Sequence, residues 1–231
     1  MSTDPELRNH LDWLGFVQPV GLVVTAPALA AAQAFVNRNT LRQQEQFRAL
    51  VGDSRLISDL PGLLTDLLGW RPSDLADPKD ALDVVLTEYH ETLRPTFAVP
   101  DPDAPGKWLM LIQTVPLNLA SSLDDPQESS HGWNASPQSR FERLLRDTHV
   151  PIGLLCDGKS LRLVYSPRGE SVGHLTFPVD AMCESAGRPI FGAMLMLLGQ
   201  ERLFALAPEQ RLPATLANSR KYQSTVSNAL A

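Results

Sequence analysis

The residues from Pro151 to Tyr165 constrain the fold more than any other stretch of this chain. Two apolar runs, Ile152-Gly-Leu-Leu-Cys156 and Leu161-Arg-Leu-Val-Tyr165, flank Asp157-Gly158. That dipeptide suits a type I′ turn, whose two central residues both take positive φ, so the spacing predicts a β-hairpin. Upstream, Trp108-Leu-Met-Leu-Ile-Gln-Thr-Val115 is almost continuously apolar, as a strand buried on both faces should be. Between the two lies a marked helix start, with Ser136 as N-cap and Pro137 at the first helical position. Phe141, Leu144 and Leu145 form its buried stripe, and Arg140, Arg143 and Arg146 fall away from that stripe. A strand, a covering helix and a hairpin in that order predict an α/β sheet flanked by helices.

Apolar spacing from Ala28 through Phe47 and Leu50 predicts a helix stopped by Gly52. A second helix is expected from about Asp59 to Leu68, leaving at Gly69. Leu82 to Tyr89 fits a strand or a helix end, and Thr96 to Val99 fits a strand. Pro100-Asp-Pro-Asp-Ala-Pro-Gly106 is a loop, and Leu175 to Val179 is an edge strand because of Pro178. From Pro189 onward the periodicity is helical. It runs to Ala231 without a capping glycine or proline, so the chain is expected to continue.

With 43% hydrophobic and 20% charged residues, the 231-residue chain can bury a core and is neither disordered nor fibrous. Cys156 and Cys183 offer no zinc spacing and, with no signal-peptide pattern at the N-terminus, point to a cytoplasmic protein. No apolar run reaches the roughly 20 residues of a membrane span. The net charge of −6 argues against a uniformly basic nucleic-acid binder. Charge is uneven, however. Residues 59–103 carry three bases against ten acids, whereas residues 140–168 carry six bases against three acids.

Several chemistries are absent from the sequence. There is no GxxxxGK[ST] loop, GxGxxG turn, GxSxG elbow or HExxH pair. His10, His90, His131, His149 and His174 are scattered. Glu88, His90 and Glu91 make the densest titratable cluster; on a strand, Glu88 and His90 would share a face as a metal pair, or simply form a polar strand end.

The run Arg140-Phe-Glu-Arg-Leu-Leu-Arg-Asp-Thr-His-Val-Pro-Ile-Gly-Leu-Leu-Cys-Asp-Gly-Lys-Ser-Leu-Arg-Leu-Val-Tyr-Ser-Pro-Arg-Gly-Glu170 resembles the N-terminal region of large type IIG-like restriction–modification methyltransferases. These include the adenine methylase component of DISARM-like phage-defence systems. The hairpin is also similar to the N-terminal nuclease domain of type I restriction R subunits. Trp13 to Val24 and Arg211 to Gln223 fit the same family. The resemblance implies a restriction-endonuclease-like mixed sheet over residues 1–185 and a helical C-terminal extension over 186–231. A missing downstream domain would then bind S-adenosylmethionine.

Nuclease chemistry in that fold needs an Asp on one strand and (Asp/Glu)-x-Lys on the next, the carboxylates holding Mg²⁺. Thr96 stands where the Asp would be, and Gln113 and Val115 stand where the Glu and Lys would be. The implied catalytic site is therefore degenerate, and no cofactor is expected in this chain. Asp101, Asp103 and Glu88 are the candidates for a migrated Mg²⁺ site. The implied function is a non-catalytic nuclease-like module docking double-stranded DNA or other restriction or defence subunits. Arg140, Arg143, Arg146, Lys159, Arg162 and Arg168 are the phosphate-contacting candidates, set against a solvated surface. The alternatives are an active Mg²⁺-dependent endonuclease or a pure protein-interaction domain.

Overall fold

A computed structural model of the chain describes residue 10 and residues 13–17, 19–116, 122–127 and 133–229. His131, much of the polar stretch around it and Ala231 lie outside these residues. Seven strands are present among them: β1 (Val84–Leu86), β2 (Glu91–Leu93), β3 (Phe97–Pro100), β4 (Trp108–Thr114), β5 (Ile152–Cys156), β6 (Ser160–Tyr165) and β7 (Gly173–Pro178). The first two make a small antiparallel ribbon. The other five form one mixed sheet in the order β3-β4-β5-β6-β7.

Only β4 and β5 run parallel, and the connection between them carries the helix α4 (Pro137–Thr148). A parallel pair needs such a crossover, because a tight turn can only reverse the chain. Ser136 caps the helix as its sequence predicts, its hydroxyl accepting from the Ser139 N–H at 3.1 Å. Phe141 and Leu145 then pack onto β5 at Gly153. A Cβ there would sit 2.5 Å from Phe141 Cε1, so only glycine lets the helix approach this closely.

Strand alternation divides the core into two layers. Met110, Ile112, Leu154, Leu161, Leu163, Leu175 and Phe177 face one side of the sheet. There they meet α2 (Leu41–Val51), α5 (Arg188–Leu198) and α6 (Leu212–Ala229) through Phe47, Phe191, Leu197 and Leu216. Leu111, Leu155 and Val164 face the other side, against Phe141, Leu144 and Leu145 of α4.

Three local expectations are corrected. The helix expected over Ala28–Leu50 is two helices, α1 (Ala26–Ala31) and α2, because Gln33 takes a left-handed φ of 52°. The segment from Asp59 begins as a short α-turn, α3 (Leu60–Gly62), and continues as a π-turn over Leu63–Leu67. In the β5–β6 hairpin the turn is shifted by one residue from the type I′ expectation. Gly158 takes the positive φ of 83°, Asp157 does not, and Asp157 Oδ1 instead accepts from the N–H groups of Lys159 and Ser160. The β7 strand is at the sheet edge, as Pro178 implied.

Candidate functional site

Antiparallel pairing of β3 with β4 sets Phe97 opposite Ile112, which brings the residue before β3 beside the last residues of β4. Thr96, Gln113 and Val115 therefore come together. Thr96 Oγ1 accepts from the Thr114 N–H at 3.0 Å and lies 3.1 Å from Thr114 Oγ1. Gln113 Nε2 approaches Thr96 Oγ1 at 3.4 Å and donates to the Thr114 carbonyl at 3.1 Å. Val115 is tied to β5 through its N–H, which donates to the Cys156 carbonyl at 2.7 Å. The cluster is neutral and its hydroxyls and amide bond to one another. A carboxamide and a hydroxyl are poor Mg²⁺ ligands beside paired carboxylates, so these residues do not fit the Mg²⁺ that the family resemblance would imply for a nuclease site.

Two cavities flank the cluster. One, of about 220 Å³, lies between β2, the end of β4 and α4 and is lined by Gln113 and Val115. The other, of about 450 Å³, lies on the opposite side of the sheet, lined by Thr96, Val115, Cys156 and Asp157. Burial pushes the Cys156 thiol up to about 12, so it carries no thiolate there at neutral pH.

The candidates for a migrated site are not brought together with these residues. Asp101 and Asp103 lie past the far end of β3, in the loop closed by the Asp101 N–H on the Lys107 carbonyl at 3.0 Å. Asp103 also pairs with Arg211 at 2.6 Å. Glu88 is in a 3-10 turn (Thr87–Tyr89), and His90 follows with a left-handed φ of 49°. Glu88 and His90 thus do not share a strand face, because the chain reverses there between β1 and β2. Among the described residues, no three His, Cys, Asp or Glu side chains stand close enough to hold a metal ion.

The six basic candidates divide by environment. Arg162 is buried on the α4 side of β6, because that strand is covered on both faces. It donates to both carboxylate oxygens of Asp124 at 2.7 and 2.8 Å, to Gln138 Oε1 at 3.1 Å and to Thr176 Oγ1 at 2.9 Å. That hydrogen bonding holds the Asp124 carboxyl below its ordinary range. Arg140 pairs with Glu91, donates to the carbonyls of Ala135 and Trp133, and lies 4.9 Å from the Trp133 ring centroid. Both arginines are internal cross-links, which corrects the solvated surface weighed against phosphate contact for these candidates. Arg143 pairs with Asp147 at 2.7 Å and Arg146 with Glu142 at 3.4 Å, each one helical turn away. Lys159 and Arg168 are exposed, but they lie in the two different turns that bracket β6 and so mark opposite ends of the strand.

Sequence reasoning missed Gln127, which lines the smaller cavity, and the partnership of Glu91 with Arg140. No helix among the described residues is long and apolar enough to cross a membrane. No protein-family model, curated protein or solved structure matches the chain.

Proposed function

We propose that the chain is a non-catalytic module of restriction-endonuclease-like fold, the N-terminal part of a restriction–modification or phage-defence DNA adenine methyltransferase. It docks a partner subunit of that complex and does not cut DNA. The observation that carries this reading is the neutral, mutually bonded cluster of Thr96, Gln113 and Thr114 where the nuclease carboxylates would stand. An antiparallel pair followed by a crossover helix and a parallel strand supports the fold assignment. In this reading S-adenosylmethionine is held by the methyltransferase domain and not by these residues.

A protein partner is favoured over DNA by the state of the arginines. Arg140 and Arg162 are consumed inside the fold, and Arg143 and Arg146 are neutralised by neighbouring carboxylates. Of the six candidates that leaves Lys159 and Arg168, at opposite ends of β6, too few to release many counterions from a duplex. The test is fluorescence anisotropy with a labelled duplex in Mg²⁺ at varied salt, followed by gel analysis of the same samples. Intact DNA is expected, with weak binding that changes less than about twofold in the Arg143→Ala/Arg146→Ala variant. Cleavage abolished by EDTA would establish a migrated site. Salt-steep binding lost in that variant would establish DNA as the partner.

A further inference from the structure

Two helices begin beside one cavity of about 330 Å³. Thr40 is the N-cap of α2, Arg188 and Pro189 open α5, and all three line the cavity. Gly192 brings the two ends together: a Cβ there would sit 2.6 Å from Val36 Cγ1, so α5 lies close against the chain leading into α2. Neither helix has a side-chain cap bond or an acidic residue in its first turn. A helix N-terminus carries a partial positive charge and ordinarily takes a capping oxygen or a carboxylate. Here it meets further cations instead. Arg188 stands at the first position of α5, Arg42 lies in the first turn of α2, and Arg38 lines the cavity from the preceding loop.

Arg188 is also held in position. Gln44 is buried, and its Nε2 donates to the carbonyls of Met182 and Glu184 at 2.8 Å each. That anchoring leaves Gln44 Oε1 to accept from Arg188 Nε at 3.2 Å. A guanidinium fixed through Nε keeps its two Nη groups as a fork for an anion. Among the described residues neither Arg38 nor Arg188 forms an ion pair, and no carboxylate lines the cavity. The exposed arginines of α4 are neutralised by carboxylates one turn away, whereas these two keep their charge.

We propose that this cavity binds a phosphate dianion, carried as the head of a small phosphate monoester. Donors arriving from two helix ends and two guanidiniums suit a tetrahedral group with several acceptor oxygens better than a planar carboxylate with two. The space equals about eleven waters at about 30 Å³ each, more than a phosphoryl group fills. Val36 and Pro189 supply apolar wall for a short organic stem. The inference rests on this cavity and is independent of the nuclease-like reading.

The same phosphate chemistry is offered by a monoester or by the free ion. The test is an amide-resolved NMR titration of the full chain with glycerol phosphate, with inorganic phosphate, and with chloride at matched ionic strength. Glycerol phosphate is expected to shift the amides of residues 41–43 and 190–191, and chloride is not. Arg38→Gln alters an exposed side chain, so the melting temperature should stay within about 2 °C while the monoester binds about fivefold more weakly. Arg188→Gln should weaken it about tenfold, and Arg188→Lys, which keeps the charge without the fork, should recover only part of that loss. Equal or tighter binding of inorganic phosphate would overturn the monoester and assign the free ion. No shift of these amides at about 20 mM, the same shifts from chloride, or affinity unchanged in Arg38→Gln/Arg188→Gln overturns the site itself.

Discussion

Replacing Arg162 by methionine separates a structural arginine from a DNA-contacting one. The side chain is 7% exposed and makes four hydrogen bonds, two to Asp124 and one each to Gln138 and Thr176. Methionine fills much of the volume but donates nothing. Asp124 is 56% exposed, so water can take over its carboxylate at small cost. Gln138 and Thr176 are not both so placed: Gln138 is buried and loses the donor on its Oε1. One buried acceptor unsatisfied, plus the charge-assisted bonds given up, amounts to about 3 kcal/mol. For a chain of this size that is a melting-temperature fall of about 6–12 °C. Urea melts of the wild type and Arg162→Met at neutral pH read the difference directly. The gap should narrow in acid, because the Asp124 carboxyl is held low chiefly by Arg162. The stabilisation is complete above the ordinary carboxylate range and is lost as pH falls through the depressed value. Unchanged stability together with a loss of duplex affinity would refute the internal role and restore Arg162 as a phosphate contact.

Two further outcomes follow from the same face of the sheet. His174 is pulled down to about 4 by burial, with Arg162 acting in the same direction. Its neutral form is favoured by folding, so stability is full above about pH 6.5 and falls by about 3 kcal/mol as pH drops to 4. His174→Asn should flatten that part of the curve, and an unaltered slope would exclude His174 as its source. Gly153→Ala places a methyl group 2.5 Å from Phe141 Cε1 and 2.9 Å from Leu145 Cδ1, a loss of about 2 kcal/mol by overpacking. Adding Phe141→Leu should recover part of that loss in denaturant melts, and no recovery would mean the helix rests elsewhere.

The elements legible in the sequence are those whose signals are local. Ser136 and Pro137 start α4 as written, and the apolar run from Trp108 forms a strand buried on both sides, because capping and burial patterns act within a few residues. The break at Gln33 was not legible, since a left-handed glutamine carries no composition signal. The meeting of Thr96 with Gln113 depends on the antiparallel register of β3 with β4, which no local signal sets. The partners of Arg162 and Arg140 were not legible because they are remote in sequence. Arg162 finds Asp124 38 residues away, and Arg140 finds Glu91 49 residues away. A charge in the middle of an apolar strand, as in Leu161-Arg-Leu, was the available hint that Arg162 lies at an interior position and needs a buried partner.

Introducing the charges that the proposed fold would carry at a nuclease site tests the central claim most directly. The variant Thr96→Asp/Gln113→Glu/Val115→Lys rebuilds a nuclease carboxylate pair and lysine at positions already within hydrogen-bonding distance or on the same cavity wall. Calorimetric titration with Mn²⁺ should give no binding to the wild type and clear binding to the folded variant. Mn²⁺ binding by the wild type, or none by a variant that melts cooperatively, would contradict the reading of this cluster as a nuclease site emptied of its charges.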